Sequence, residues 1–266
     1  MSFAGKTALI TGGGSGIGKA IGTALQADGA VVVRCDIDPC DPACRVLDVR
    51  DADAFAALAD EVGPVDLLVS CAGISLGGAT HEMSAEHWDR IIDVNIRGVV
   101  NGIRAVYPSM IQRGSGQIVN VASGAGLVAP PFVAAYAMTK HAVVGLSAAL
   151  RAEAALHGVR VNVLCPGAVE TPILDRPPDP DLPPTASAPV TARRYLAVVG
   201  QKPVDVDRFA RLALRAMARD RGIIVGPASA RTLWYLHRAS PALTGRITRL
   251  LARRVDRILM TPADKA

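Results

Sequence analysis

Tyr136 and Lys140 stand four residues apart in Tyr136-Ala137-Met138-Thr139-Lys140, a spacing that puts both on one face of a helix. A phenol with a pKa of about 10 is a poor base near neutral pH, but an adjacent ammonium favours the phenolate and lowers that pKa. Such a pair suits proton transfer to or from an alcohol oxygen. By itself Y-x3-K is also a common surface pattern. Ser123 sharpens it: the hydroxyl lies 13 residues earlier, directly after the apolar run Gln117–Ala122. In a parallel sheet that is the carboxyl end of a strand, where such folds place their chemistry.

A second group of residues is built for an anion. The run Thr11-Gly12-Gly13-Gly14-Ser15-Gly16-Ile17-Gly18 follows a short apolar strand pattern, Lys6–Thr11, and opens a helical one. Gly12, Gly16 and Gly18 let the backbone approach a pyrophosphate, while the first-turn N–H groups around Ser15, Gly16 and Ile17 point at it. The bland reading is a tight strand-to-helix turn. Asp36 lies 18 residues past Gly18, at the end of the next β-branched run. Its carboxylate suits ribose hydroxyls and repels a 2′-phosphate, which selects NAD over NADP. Asp36-Ile37-Asp38-Pro39 is also turn-like, and the preceding loop decides for the cofactor role.

The elements that must hold these groups alternate. Helical patterns are read at about 16–28, 52–61, 84–111, 133–157 and 204–219, with Ser84 as an N-cap. Between them lie short apolar runs at 6–11, 30–35, 45–48, 65–70, 117–122, 159–165 and 222–225. Near-continuous apolar strands separated by helices predict a parallel sheet covered on both faces, a doubly wound Rossmann-like α/β fold. With 266 residues, 50% hydrophobic and 20% charged, one domain (1–228) with a helical tail (229–266) is the expected organisation. No apolar run is long enough to span a membrane and the first residues do not read as a signal peptide, so a cytoplasmic protein is expected. Cys40 and Cys44 form C-x3-C, but no second Cys/His pair completes a zinc site; no metal is expected.

Together the Thr11–Gly18 loop, Asn95 in its sequence context, Ser123 and Tyr136-x3-Lys140 resemble the short-chain dehydrogenase/reductase family over about residues 5–227. The resemblance implies that Tyr136 is the general acid/base, that Ser123 hydrogen-bonds the substrate oxygen and that Lys140 binds the nicotinamide ribose. It implies that Asn95 holds a water in the proton relay to Lys140. It further implies that Asp48 and Val49 contact adenine and that Ala72 and Gly73 line its side of the cleft. Pro166, Gly167, Val169 and Thr171 match the loop around the nicotinamide carboxamide. Two departures stand out. Ser70-Cys71-Ala72-Gly73 replaces the family's N-N-A-G, which removes amide side chains that brace the site. Asp36 to Asp48 is too short for the usual helix, and an irregular loop is expected there.

The proline-rich stretch 172–189 occupies the family's substrate-loop position, about 171–203, and a segment this long is often a lid. Ile173 and Leu174, with Leu76, Val128, Pro130, Pro131 and Phe132, predict an apolar pocket for a hydrophobic secondary alcohol or ketone. Arg176, Arg193 and Arg194 are the cations within reach of an acid substrate. The reading is an NAD-dependent alcohol dehydrogenase or carbonyl reductase, a homodimer or homotetramer through the helices at 84–111 and 133–157. The alternative is a regulatory or scaffold protein of the same fold without turnover. Residues 229–260 hold seven arginines against one acid, so the body is close to neutral; with 4% aromatics, no nucleic-acid partner is expected. Leu243, Ile247, Leu250, Leu251, Val255, Ile258 and Leu259 recur at helical spacing with arginines mostly opposite. A basic amphipathic helix can lie on an anionic membrane, but packing on its own or a neighbouring subunit is favoured here.

Overall fold

A computed structural model describes residues 2–39, 42–177, 179–185 and 191–260. Seven parallel strands form one sheet in the order β3-β2-β1-β4-β5-β6-β7. They are β1 (Thr7–Thr11), β2 (Val31–Asp36), β3 (Cys44–Val46), β4 (Leu67–Ser70), β5 (Gly116–Val121), β6 (Val159–Pro166) and β7 (Ile223–Gly226). The order reverses direction at β1, so β1 and β4 flank the switch point, beyond whose carboxyl ends ligands bind in such sheets. This is the predicted doubly wound α/β fold.

Helices α1 (Gly16–Ala27) and α7 (Val206–Ala218) cover one face of the sheet. There Ile21, Leu25, Phe209, Ala213 and Met217 pack on Ile10, Val69, Val119 and Leu164. Helices α2 (Ala52–Val62), α4 (Gly98–Arg113) and α5 (Ala134–Ala155) cover the other, where Phe55, Leu58, Met110 and Leu150 meet Leu9, Leu68, Ile118 and Val161. Strands buried on both faces explain the unbroken apolar runs of the sequence.

Three expectations change. The helix predicted over 84–111 is α3 (Ala85–Ile92), a π turn (Asp93–Arg97) and α4. A further helix, α6 (Ala192–Val198), lies in the expected substrate-loop segment 171–203, past its proline-rich stretch. The tail is two helices, α8 (Ala228–Ala239) and α9 (Pro241–Val255), because Ser240 accepts from Leu243 N–H as an N-cap and Pro241 takes the first helical position. In the link after Asp36, residues 37–39 and 42–43 are in neither helix nor strand; Cys40 and Asp41 lie outside the described residues.

Docking of α9 is narrow. Thr244 and Val255 are buried, Val255 against Val198, Phe132 and Tyr195, while Leu243, Ile247, Leu250 and Ile258 are exposed. On its own subunit the stripe is covered at one side only, chiefly by α6 and α8; the expectation also named a neighbouring subunit as cover. The side chain of Leu259 lies outside the described residues.

Candidate active site

The first two strand ends build the anion cradle. At Gly12, with φ +65°, a Cβ would sit 2.7 Å from Ala72 N, and at Gly18 one would sit 2.2 Å from Gly12 O. No side chain fits either position. The Thr11 hydroxyl accepts the N–H groups of Cys71 (3.0 Å) and Ala72 (3.1 Å), tying the β1 and β4 ends together. Ser15 is the N-cap of α1 but its side chain caps nothing, so the first-turn N–H groups around Gly16 and Ile17 remain for an anion. Asp36 turns from the end of β2 into the loop, and its Oδ2 accepts Gly14 N–H at 3.0 Å. Arg34, on the same face of β2, donates to Gly13 O at 3.2 Å.

The proton-handling groups come from β5, α5 and the π turn. Ser123 follows β5, and its Oγ accepts Ala125 N–H at 3.1 Å. Tyr136 is in the first turn of α5 and Lys140 one turn later. Lys140 is buried; its Nζ donates to Val121 O at 3.1 Å and lies 5.7 Å from the Tyr136 ring centre. Burial pushes the Lys140 ammonium down to about 8. Burial raises the Tyr136 phenol, opposed by the Ser123 hydroxyl and reinforced by the neighbouring Cys71 and Cys165. The net direction for the Tyr136 phenol is therefore upward in this structure, opposite to the depression expected from Lys140.

Asn95 is fully buried in the π turn. Its Oδ1 accepts Ile74 N–H at 2.9 Å, and its Nδ2 donates to Ile74 O (3.0 Å) and to the Thr139 hydroxyl (3.1 Å). That hydroxyl donates to Tyr136 O at 2.8 Å. One amide therefore locks the segment after β4 to the helix carrying Tyr136 and Lys140. Gly73 leaves the space between them open, since a Cβ there would meet Asn95 Oδ1 at 3.1 Å and Lys140 Nζ at 3.3 Å.

The remaining predicted residues line the same strand ends. Asp48 is held by Arg50 at 2.6 Å, and these hydrogen bonds keep its carboxyl below the usual range. Val49 is buried, and its carbonyl accepts Asn101 Nδ2 at 2.9 Å. Pro166 ends β6, and Gly167 N–H donates to Gly226 O at 2.7 Å. Val169 bridges to Val204. Thr171 is buried, its Oγ1 donates to Val169 O at 3.3 Å, and its methyl faces Gly16 across the cradle. In place of the family's braced amides, the buried Ser70 Oγ has no partner among the described residues. No cluster of His, Cys, Asp or Glu that could hold a metal ion occurs among the described residues.

Sequence reasoning missed Asn101, the Thr11 hydroxyl and the ties on the proline-rich segment. There Arg193 of α6 pairs with Asp175 (2.6 Å) and with Glu170, so it is engaged rather than waiting for an acid substrate. Arg90 of α3 pairs with Asp179 at 3.1 Å.

A model of the short chain dehydrogenase family matches residues 6–180, and the chain belongs to that family. It is 40% identical over 217 residues to the oxidoreductase UcpA of Escherichia coli K12, covering 73% of this chain and 82% of that one. It is 38% identical over 191 residues to a D-beta-hydroxybutyrate dehydrogenase of Rhizobium meliloti, covering 64% and 74%. Among solved structures, a short-chain dehydrogenase/reductase from Burkholderia phymatum in complex with NAD superposes with a TM-score of 0.79 at 31% identity, covering 91% of this chain and 96% of that chain. The protein is an oxidoreductase of this family.

Proposed function

We propose that the protein transfers hydride between NAD and a hydrophobic secondary alcohol or its ketone. The carrying observation is the buried Lys140 ammonium beside the Tyr136 ring, with Asn95 locking both to the end of β4. The D-beta-hydroxybutyrate dehydrogenase relative acts on a secondary alcohol, and the Burkholderia phymatum structure holds NAD, which supports the reading. The family includes users of NAD and of NADP, so the choice rests on Asp36, with Arg34 already donating to Gly13 O.

The chain fits the dinucleotide. Gly12, Ser15, Gly16, Ile17 and Gly18 would hold the pyrophosphate and Asp36 the adenosine ribose. Val49 and Asp48, with Ala72 and Gly73, would line the adenine side. Tyr136 and Lys140 would hold the second ribose, and Pro166, Gly167, Val169 and Thr171 the carboxamide. The nicotinamide ring supplies the hydride acceptor or donor when bound. In oxidation Tyr136, as phenolate, takes the alcohol proton; in reduction it returns a proton to the carbonyl oxygen. Ser123 donates to that oxygen and steadies its negative charge. Lys140 keeps a positive charge beside the phenolate, and Asn95 fixes the helix on which both stand. Leu174 and Phe132, in the segments that follow β6 and precede α5, favour an apolar substrate. Self-association through α4 and α5 belongs to the same reading, supported by Met138, 40% exposed on α5.

The test is a screen of secondary alcohols followed by NADH absorbance, repeated with Tyr136→Phe. The variant should still bind NADH, held by the remaining residues of the cradle and by Lys140, and lose on the order of 10²–10⁴-fold in kcat. Binding of NADH without turnover of any alcohol or ketone by the parent would favour a non-catalytic role, and substantial activity in Tyr136→Phe would refute the proton route.

A further inference from the structure

The C-terminal elements carry charge and apolar surface that hydride transfer does not use. Residues 208–258 contain twelve arginines, no lysine and two aspartates, a net +10, whereas the rest of the chain sums to −5. Arg208, Arg211, Arg215 and Arg219 run along one face of α7, and with Arg221 and Arg231 they line a surface hollow of about 370 Å³. None of these six forms an ion pair among the described residues. Like charges four apart on a helix repel, so this face is held against its own field, and an anionic partner would relieve it.

Helix α9 adds a different surface. Its docked side is Thr244 and Val255. Leu243, Ile247, Leu250 and Ile258 are 44%, 36%, 64% and 46% exposed. At about 100° per residue Leu243, Ile247 and Leu250 fall within a sector of roughly 60°, to one side of the docked face, and Ile258 follows in the π turn Asp256–Met260. Arg246, Arg249 and Arg253 occupy the sector beyond them, Arg254 stands within the apolar sector between Leu243 and Ile247, and Arg253, Arg254 and Arg257 ring a second hollow with Leu250 and Ile258. Three faces result: one on the protein, one apolar and in solvent, one cationic.

We propose that this surface docks on an anionic lipid bilayer, with α9 lying in the interface plane. The charge asymmetry turns the C-terminal side toward the membrane. Leu243, Ile247, Leu250 and Ile258 enter the boundary between headgroups and acyl chains, and the arginines pair with lipid phosphates. A nucleic acid would satisfy the arginines but offer nothing to the aliphatic stripe. A second copy packed face to face would bring the arginine rows together. Only an anionic bilayer complements both surfaces. The inference rests on the surface of α7–α9 and stands or falls separately from the assignment of substrate and cofactor.

The experiment is cosedimentation of the full chain with vesicles of phosphatidylglycerol or of phosphatidylcholine alone, at ~0.1 and ~0.5 M salt. Binding is expected on phosphatidylglycerol, with loss at high salt and none on phosphatidylcholine. Ile247→Ser with Leu250→Ser should weaken it at least about tenfold, and Arg246, Arg249 and Arg253 to Ser together by about a hundredfold, with melting temperature unchanged in both. These positions are exposed, so folding is not at risk. The proposal is overturned if the parent fails to sediment with phosphatidylglycerol. It is equally overturned if duplex DNA binds as tightly as vesicles and the double serine variant leaves both unchanged, or if that variant lowers the mass of the protein in solution.

Discussion

Replacing Lys140 by Met should stabilise the protein while abolishing turnover. The ammonium titrates near 8 in the folded chain instead of its ordinary 10.5, because burial disfavours its charge. The unfolded chain therefore binds the proton more tightly, and between about pH 8 and 10.5 folding gains stability as pH rises. Below pH 8 the full penalty is present, roughly 3 kcal/mol for a shift of this size at ~1.4 kcal/mol per pH unit. Methionine of similar length removes it. The loss of the hydrogen bond to Val121 O returns about 1–2 kcal/mol, since that carbonyl is left without this donor. The net gain is about 1–2 kcal/mol at pH 7, or a melting temperature higher by roughly 2–8 °C. Melting curves of parent and Lys140→Met at pH 7 and pH 10 read this directly. The gap should be largest at pH 7 and shrink at pH 10. A variant that melts below the parent at pH 7, or a gap that widens with pH, would refute the claim that Lys140 is a buried charge held against its environment.

Asp36→Ala combined with Ile37→Arg should lower the NAD-to-NADP ratio of kcat/KM at least about tenfold, because the carboxylate that repels a 2′-phosphate is gone and a cation is supplied; an unchanged ratio would move the selectivity elsewhere. Arg193→Ala should free α6 from Glu170 and Asp175 and loosen the segment 171–198, raising KM for the alcohol more than it lowers kcat. Limited proteolysis should cut that segment faster in the variant, and equal rates would show that the pairs do not restrain it.

Legibility followed sequence distance. The Gly12–Gly18 loop and the Tyr136–Lys140 pair were readable because each is written within a few consecutive residues. Ser123 was readable because its strand is a plain apolar run. Asn95 was marked by family likeness, but its grip on Ile74 and Thr139 spans 21 and 44 residues and leaves no periodic trace. The Arg193 pairs join residues 18 and 23 apart, and α6 hides in a segment whose prolines argue against helix. The split of the tail was visible in Ser240-Pro241, an N-cap followed by a first-turn proline, though the continuous apolar spacing masked it. Burial of Lys140, and hence the direction of both pKa shifts at the site, follows only from packing.

The π turn at Asp93–Arg97 has a consequence for how α3 and α4 are phased. A π turn is one residue more than α-geometry needs, and each residue rotates a helix by about 100°. Everything after Arg97 is therefore offset from the phase set by α3. Asn101 reaches Val49 O only in that phase, and Gly98 and Gly102 face Val49 and Phe55 only in it. Winding 93–97 as regular α-helix with every residue kept would swing all three by about 100°, whereas deleting one residue would leave them in place and remove the bulge that carries Asn95. The insertion that withdraws Asn95 into the catalytic side thus also sets the rotational register of the wall behind the adenine side. The two ends of the cleft are geared together through one surplus residue.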